Sequence, residues 1–170
     1  MKMKANSFRV TIREAEENDA DAIKRIVDSV AKEKYYIAPE RSRENWKQAI
    51  KEIKERKGLI LVAEINEMPV GMAHLVPGRF EKNKHVGFLG ICILKEFRGK
   101  GIGTKVMEYM IKWAKEHGEL EKISLNVFST NKIAIKLYRK FGLEIEGICK
   151  KQFKIEDKYV DEIIMGKWLT

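Results

Sequence analysis

EFRGKGIGTK, Glu96 to Lys105, places glycines at 99, 101 and 103 between an apolar run and a helical pattern. Glycine is costly to order, so this density means that bare backbone is needed there. Before it, HVGFLGICIL reads as a buried strand. After it, Val106, Met107, Met110, Ile111, Trp113 and Ala114 recur at helical spacing, closing near His117 and Gly118. A strand handing over to a helix exposes unpaired N–H groups at the positive end of the helix dipole, which suits phosphate. Arg98 and Lys100 add charge. A tight turn that binds nothing could use the same glycines, and the pattern alone leaves the two readings even. Two familiar nucleotide loops are excluded. The run G-x-x-x-x-G-K-[ST] does not occur. The fingerprint G-x-G-x-x-G fails because Thr104 stands where its third glycine belongs, and the segment lies in mid-chain rather than in a first βαβ unit.

Working outward, SFRVTIRE alternates, with Phe8, Val10 and Ile12 on one face of a first strand. Ala22, Ile23, Ile26, Val27 and Val30 predict a helix with Asn18 as N-cap. The irregular aromatic link YYIAPERS follows, then a helix from about Arg43 carrying Trp46, Ile50 and Ile53 and ended by Gly58. LILVAEI and PVGMAHLVP predict a hairpin turning at Asn66 and Glu67. Downstream come the strand KISLNVF and a short helix with Ile133, Ala134, Leu137, Tyr138 and Phe141, stopped by Gly142. Two strands, LEIEGICKKQF and KYVDEIIMGKW, flank a turn at Glu156 and Asp157. The order β-α-α-β-β-β-α-β-α-β-β predicts a mixed α/β sheet with an antiparallel half and at least one parallel crossover.

The 170 residues, 44% apolar and 35% charged, fit one globular domain over 1–170. No apolar run reaches the roughly 20 residues of a membrane span, and MKMKANSF lacks a signal-peptide apolar region, so the default reading is cytoplasmic with no membrane partner. Cys92 and Cys149 are far apart in apolar patterns and read as reduced thiols, with no metal site. The net charge of +9 favours anionic partners, nucleic acid or a polyanionic cofactor. Lys and Glu interleaved in KQAIKEIKERK and KWAKEHGELEK read more simply as solvated helix faces.

The segment ICILKEFRGKGIGT resembles the acetyl-CoA pyrophosphate loop, Q/R-x-x-G-x-G/A, of the GCN5-related N-acetyltransferases (the GNAT family). NVFSTNKIAIKLYRKFGL resembles that family's second marker, an Asn followed by A-I-x-L-Y-x-K-x-G-F, with Leu143 where Phe is usual. The resemblance spans about Leu59 to Trp168 and looks closest to the amino-acid and polyamine acetyltransferase branches. It implies a GNAT fold: a mixed, twisted sheet with an antiparallel N-terminal half and a parallel central pair, flanked by about four helices.

The resemblance also implies acetyl-CoA as acyl donor and assigns residues to it. Ile91, Cys92 and Ile93 bind the pantetheine arm through their main chain. Arg98, Gly99, Lys100, Gly101, Ile102, Gly103 and Thr104 cradle the pyrophosphate. Asn131 and Ala134 contact the cofactor from the start of the short helix. A main-chain N–H near Ile93 stabilises the oxyanion, and Tyr138 stands at the position of the proton donor to the leaving thiolate, against the simpler reading of a core aromatic.

Relatives often place a carboxylate on the strand before the loop, but none lies between His85 and Lys95. His85, starting that strand, is the base candidate, with His74 and Glu40 as competitors. Proton loss to solvent is the alternative. Tyr35, Tyr36, Arg41 and Arg79 can address a carboxylate-bearing amine such as an amino acid, and Arg79, Lys82 and Lys84 disfavour a polyamine. Protein N-termini are a further acceptor class, and dimerisation is common in the family. Two rival readings are a non-catalytic acetyl-CoA sensor and a basic RNA-binding module; the chain lacks the aromatic-interleaved basic motif that the second needs.

Overall fold

The computed structural model describes residues 8–34, 45–117 and 119–170. Among the described residues, four α-helices, α1 (Ala20–Ala31), α2 (Trp46–Glu55), α3 (Ile102–His117) and α4 (Lys132–Lys140), accompany seven strands. The strands are β1 (Val10–Glu14), β2 (Leu59–Ile65), β3 (Met68–Pro77), β4 (Val86–Ile93), β5 (Lys122–Phe128), β6 (Glu144–Ile155) and β7 (Lys158–Trp168). They form one sheet in the order β1-β2-β3-β4-β5-β7-β6. Every pairing is antiparallel except β4 with β5.

β2 is buried along nearly its whole length because both faces of the sheet are covered there. Its side chains alternate between two cores, as the two-residue period of a strand requires. Leu59, Leu61, Ala63 and Ile65 join α3 and α4 on one face. Ile60 and Val62 join α1 and α2 on the other. Each helix presents the apolar stripe that its sequence spelled out, such as Ile23, Ile26, Val27 and Val30 in α1. Fully burying each large aliphatic side chain is worth about 1.5–3 kcal/mol. The stripe therefore fixes which side of a helix meets the sheet.

Local details depart from the sequence reading where side chains have distant business. The N-cap of α1 is Asp19, not Asn18, and its carboxylate caps nothing in α1. It receives Arg13 Nη1 and Nη2 at 2.8 Å each and the Glu16 N–H at 2.7 Å, while Arg13 also donates to Glu64 on β2. These bonds with the Arg13 guanidinium hold the Asp19 carboxyl below its usual range. α2 begins at Trp46 rather than Arg43, which lies outside the described residues; Asn45 caps it by accepting the Gln48 N–H. Lys57 (φ 56°), not Gly58, takes the left-handed position after α2. Phe8 precedes β1 and is exposed, and Ile133, read as part of an apolar helix face, is 72% exposed. Gly118 lies outside the described residues. Gly142 does close α4 at a left-handed φ of 81°, and Asn66 and Glu67 both turn left-handed in the β2–β3 hairpin.

One join in the sheet is short. β4 and β5 pair only through Val86–Lys122, Gly87–Ile123 and Phe88–Ser124. Beyond that, β4 runs on to Ile93 against β3, and β5 runs on to Phe128 against β7. The two central strands part in the middle of the sheet.

Candidate active site

The parting strands leave backbone groups without a ladder partner. Leu94 N–H donates to Val70 O and Gly78 N–H to Val86 O. In an antiparallel pair the hydrogen-bonded residues recur every second position. Gly90 and Cys92 are therefore bonded to β3, and Ile91 and Ile93 aim their N–H and C=O groups towards β5, which has left. A sheet edge opened inside a sheet can bind an extended, amide-bearing chain as an added strand.

A cavity of about 250 Å³ occupies this gap. Ile91, Cys92 and Ile93 form its wall, with Val30 of α1 on one face of the sheet and Leu137 and Tyr138 of α4 on the other. The glycine loop closes its end. Gly99 and Gly101 hold left-handed φ angles of 73° and 80°, and a Cβ on either would meet nothing within 4 Å. These two glycines serve the backbone turn and leave the space in front of it empty. Gly103 differs: it lies within α3, and a Cβ there would stand 2.9 Å from Leu137 Cδ2. It lets α3 approach α4. The first helical bond of α3 runs from Lys105 N–H to Gly101 O. The N–H groups of Ile102, Gly103 and Thr104 precede it and point out of the helix at its positive end.

Tyr138 is 7% exposed, within the apolar stripe of α4, and lines the cavity. Burial, with the nearby Cys92 sulfur adding, pushes its phenol well above the usual range, so it stays protonated at any physiological pH. The Cys92 thiol is pushed up to about 11 by burial, with Arg98 opposing and Glu33 adding to the rise. It is therefore a neutral wall rather than a nucleophile. Asn131 spends its carboxamide oxygen on the Ala134 N–H as the cap of α4, which leaves its NH₂ as the group able to meet a ligand. Thr104 and Ala134 also line the cavity.

The two cations of the loop are placed differently from the expectation. Arg98 lines the cavity, but its guanidinium forms a fork with Glu33 (Nη1–Oε2 2.8 Å, Nη2–Oε1 2.6 Å), and its Nε donates to Ile93 O at 2.9 Å. It fastens the loop to the end of β4 and to the segment just beyond α1. Lys100 extends outward, with Nζ 4.8 Å from the centre of the Phe8 ring. The N–H groups at the start of α3 add to the positive character of the slot. Val30, Phe97 and Ile133 also line the cavity; in the sequence Val30 and Ile133 read only as apolar helix residues, and Phe97 is not singled out. Ile133 leaves no signal there: inside the second motif it reads as one more apolar helix residue, and only the fold shows it exposed.

His85 is corrected. It precedes β4 at the paired end, where its carbonyl accepts the Glu121 and Lys122 N–H groups and its ring stacks on Trp168 at 6.4 Å. It stands six positions, about 20 Å of strand, before Ile91, which puts it out of reach of the gap as a base. Arg79 sits exposed in the turn at that same end and does not line the cavity. Tyr35, Tyr36, Glu40 and Arg41 lie outside the described residues. A larger depression of about 890 Å³ near the paired end, between α2, α3 and the β3–β4 turn, is rimmed by exposed charges such as Lys54, Glu55 and Lys57 and holds none of the motif residues. Among the described residues, no helix is long and apolar enough to cross a membrane, and no group of three or more His, Cys, Asp or Glu could hold a metal ion.

Comparison with known proteins agrees with this geometry. Residues 21–143 match the acetyltransferase (GNAT) family. The chain is 31% identical over 163 residues to the L-amino acid N-acetyltransferase AaaT of Escherichia coli K12, covering 93% of this chain and 97% of that protein. Among solved structures, the ribosomal-protein-alanine N-acetyltransferase of Brucella melitensis superposes with a TM-score of 0.85 at 27% identity, covering 93% of this chain and 99% of that one. A phosphinothricin acetyltransferase of Sinorhizobium meliloti, solved in complex with acetyl-CoA, has a TM-score of 0.85 at 20% identity, over 94% and 88% of the two chains, and shows the shared fold.

Proposed function

Because this chain belongs to the acetyltransferase (GNAT) family, we propose that it moves an acetyl group from acetyl-CoA to the primary amine of a small molecule such as an amino acid. Transfer is by direct attack with both substrates bound. The observation that carries the reading is the broken β4–β5 ladder with Tyr138 buried against it. The N–H and C=O of Ile91 and the N–H of Ile93, which face away from β3, suit the amides of a pantetheine arm, while the Ile93 carbonyl is held by Arg98. The open space before Gly99 and Gly101 and the first N–H groups of α3 suit a pyrophosphate. The Asn131 NH₂ is a further donor at the same end.

In the transfer, Ile93 N–H is positioned to receive the negative charge that develops on the acetyl oxygen. Tyr138, kept protonated by its burial, supplies the proton that the departing sulfur takes up. Arg98 and Glu33 hold the loop and the end of β4 in register for both tasks. For the acceptor, the support is similarity along nearly the whole chain to an L-amino acid N-acetyltransferase. A second reading, acetylation of protein N-termini, draws on the likeness to the ribosomal-protein-alanine enzyme.

Acetyl-CoA should raise the melting temperature of the wild type, and Gly101→Asp should abolish that rise, because its carboxylate meets the pyrophosphate. A variant that binds as tightly as the wild type defeats the phosphate assignment. A mass-spectrometric transfer screen over L-amino acids, polyamines and N-terminal peptides decides between the acceptors.

A further inference from the structure

The sheet face that carries α1 and α2 holds a second set of polar groups beside the gap. On β3, His74 pairs with Gly90 and lies between Met72 and Val76, which pack into the α1/α2 core, so its ring lies on that face. The ring occupies the space that a side chain at position 90 would need: a Cβ there would stand 2.6 Å from His74 Cε1 and 2.7 Å from Nε2. Gly90 is the site on β4 that admits an imidazole from the neighbouring strand. Across the gap, Ile123, Leu125 and Val127 of β5 point into the opposite core, so Asn126 shares the face of His74. Its Nδ2 donates to Glu162 Oε1 of β7 at 3.0 Å. Phe88 and Ser124 are the last paired residues. Gly90, beneath His74, and Asn126, bonded to Glu162, are the next residues on that face, one on each bank where the strands part. Cys92, lining the cavity with Tyr138, comes one row further along β4.

We propose that His74 and Glu162 receive the acceptor amine across the mouth of the gap, with Glu162 holding the ammonium and His74 Nε2 taking its proton. This rests on the acetyl-transfer reading above and names the base that β4 itself lacks. His74 takes one proton from the ammonium. The freed nitrogen lone pair forms the C–N bond as the C–S bond breaks, and the sulfur takes the Tyr138 proton. Tyr138 is restored by the proton shed from the new amide nitrogen, and His74 passes its own to water. Asn126, through its bond to Glu162, is a positioning residue.

The test compares wild type, His74→Gln, Gly90→Ala and Glu162→Gln, with acetyl-CoA binding measured by calorimetry and turnover on the standard L-amino acids and on methoxyamine, which is unprotonated at neutral pH. His74→Gln should lower kcat on amino acids roughly a hundredfold and leave methoxyamine turnover within about threefold. Gly90→Ala, which keeps the histidine but evicts its ring, should do the same. Glu162→Gln should raise KM for the amino acid about tenfold and leave KM for acetyl-CoA unchanged. Equal losses on both amines, unchanged amino-acid turnover, or loss of acetyl-CoA binding in the His74 variant each overturn the assignment of His74. A wild type that binds acetyl-CoA yet acetylates no amine overturns the transfer reading and this inference with it.

Discussion

The two ends of β4 are built from the same kinds of residue and behave in opposite ways. At Val86–Phe88 the strand is laddered on both sides, and the backbone of His85 is bonded to Glu121 and Lys122. At Ile91–Ile93 one side is laddered and the other faces a cavity. Side-chain apolarity is not what separates them, because Val86 and Phe88 at one end and Ile91 and Ile93 at the other are all apolar. The difference is the course of β5, which turns away to follow β7. The binding capacity proposed for this end rests on backbone groups that β5 does not pair.

The contrast is broken most strongly at Tyr138. Tyr138→Phe should lower kcat roughly a hundredfold with acetyl-CoA affinity within about twofold, whereas His85→Gln at the paired end should leave kcat unchanged. Equal effects of the two substitutions would mean that the open end is not where the chemistry happens. Next comes alkaline pH. Cys92 is raised from 9.0 to about 11, so above pH 9 the unfolded chain loses this proton first, and stability falls until the folded thiol ionises near pH 11. The loss should be about 2–3 kcal/mol, read as a decline in denaturation midpoint that is shallower in Cys92→Ala. Smallest is the split within the glycines. Gly101→Ala, forced into a left-handed turn, should cost about 1–2 kcal/mol. Gly103→Ala should cost less than about 1 kcal/mol, because the Leu137 methyl it meets can swing aside.

The order of elements and the two motifs were legible because periodicity and glycine punctuation are local signals. What escaped was set by partners far away in sequence. Arg98 in isolation is a phosphate cation; Glu33, 65 positions earlier, makes it a fastening. Asn18 reads as good a cap as Asp19; only the fold shows the Asp19 carboxylate held by Arg13 and the Glu16 N–H. His85 reads as the start of a strand that begins one residue later, at Val86, and no local pattern tells which end of that strand its parallel neighbour abandons. His74 could be noticed only as a histidine; that Gly90 makes room for it is a fact of register.

The join between β4 and β5 also bears on mechanics. Three residue pairs are the entire direct ladder between the β1–β4 half of the sheet and the β5–β7–β6 half. The sheet is a plate with a slit cut to its centre. Bending or twisting it concentrates strain at the tip of the slit, beside Phe88 and Ser124. A molecule laid along the slit and bonded to β4 is a splint, and occupancy then stiffens regions that it never touches.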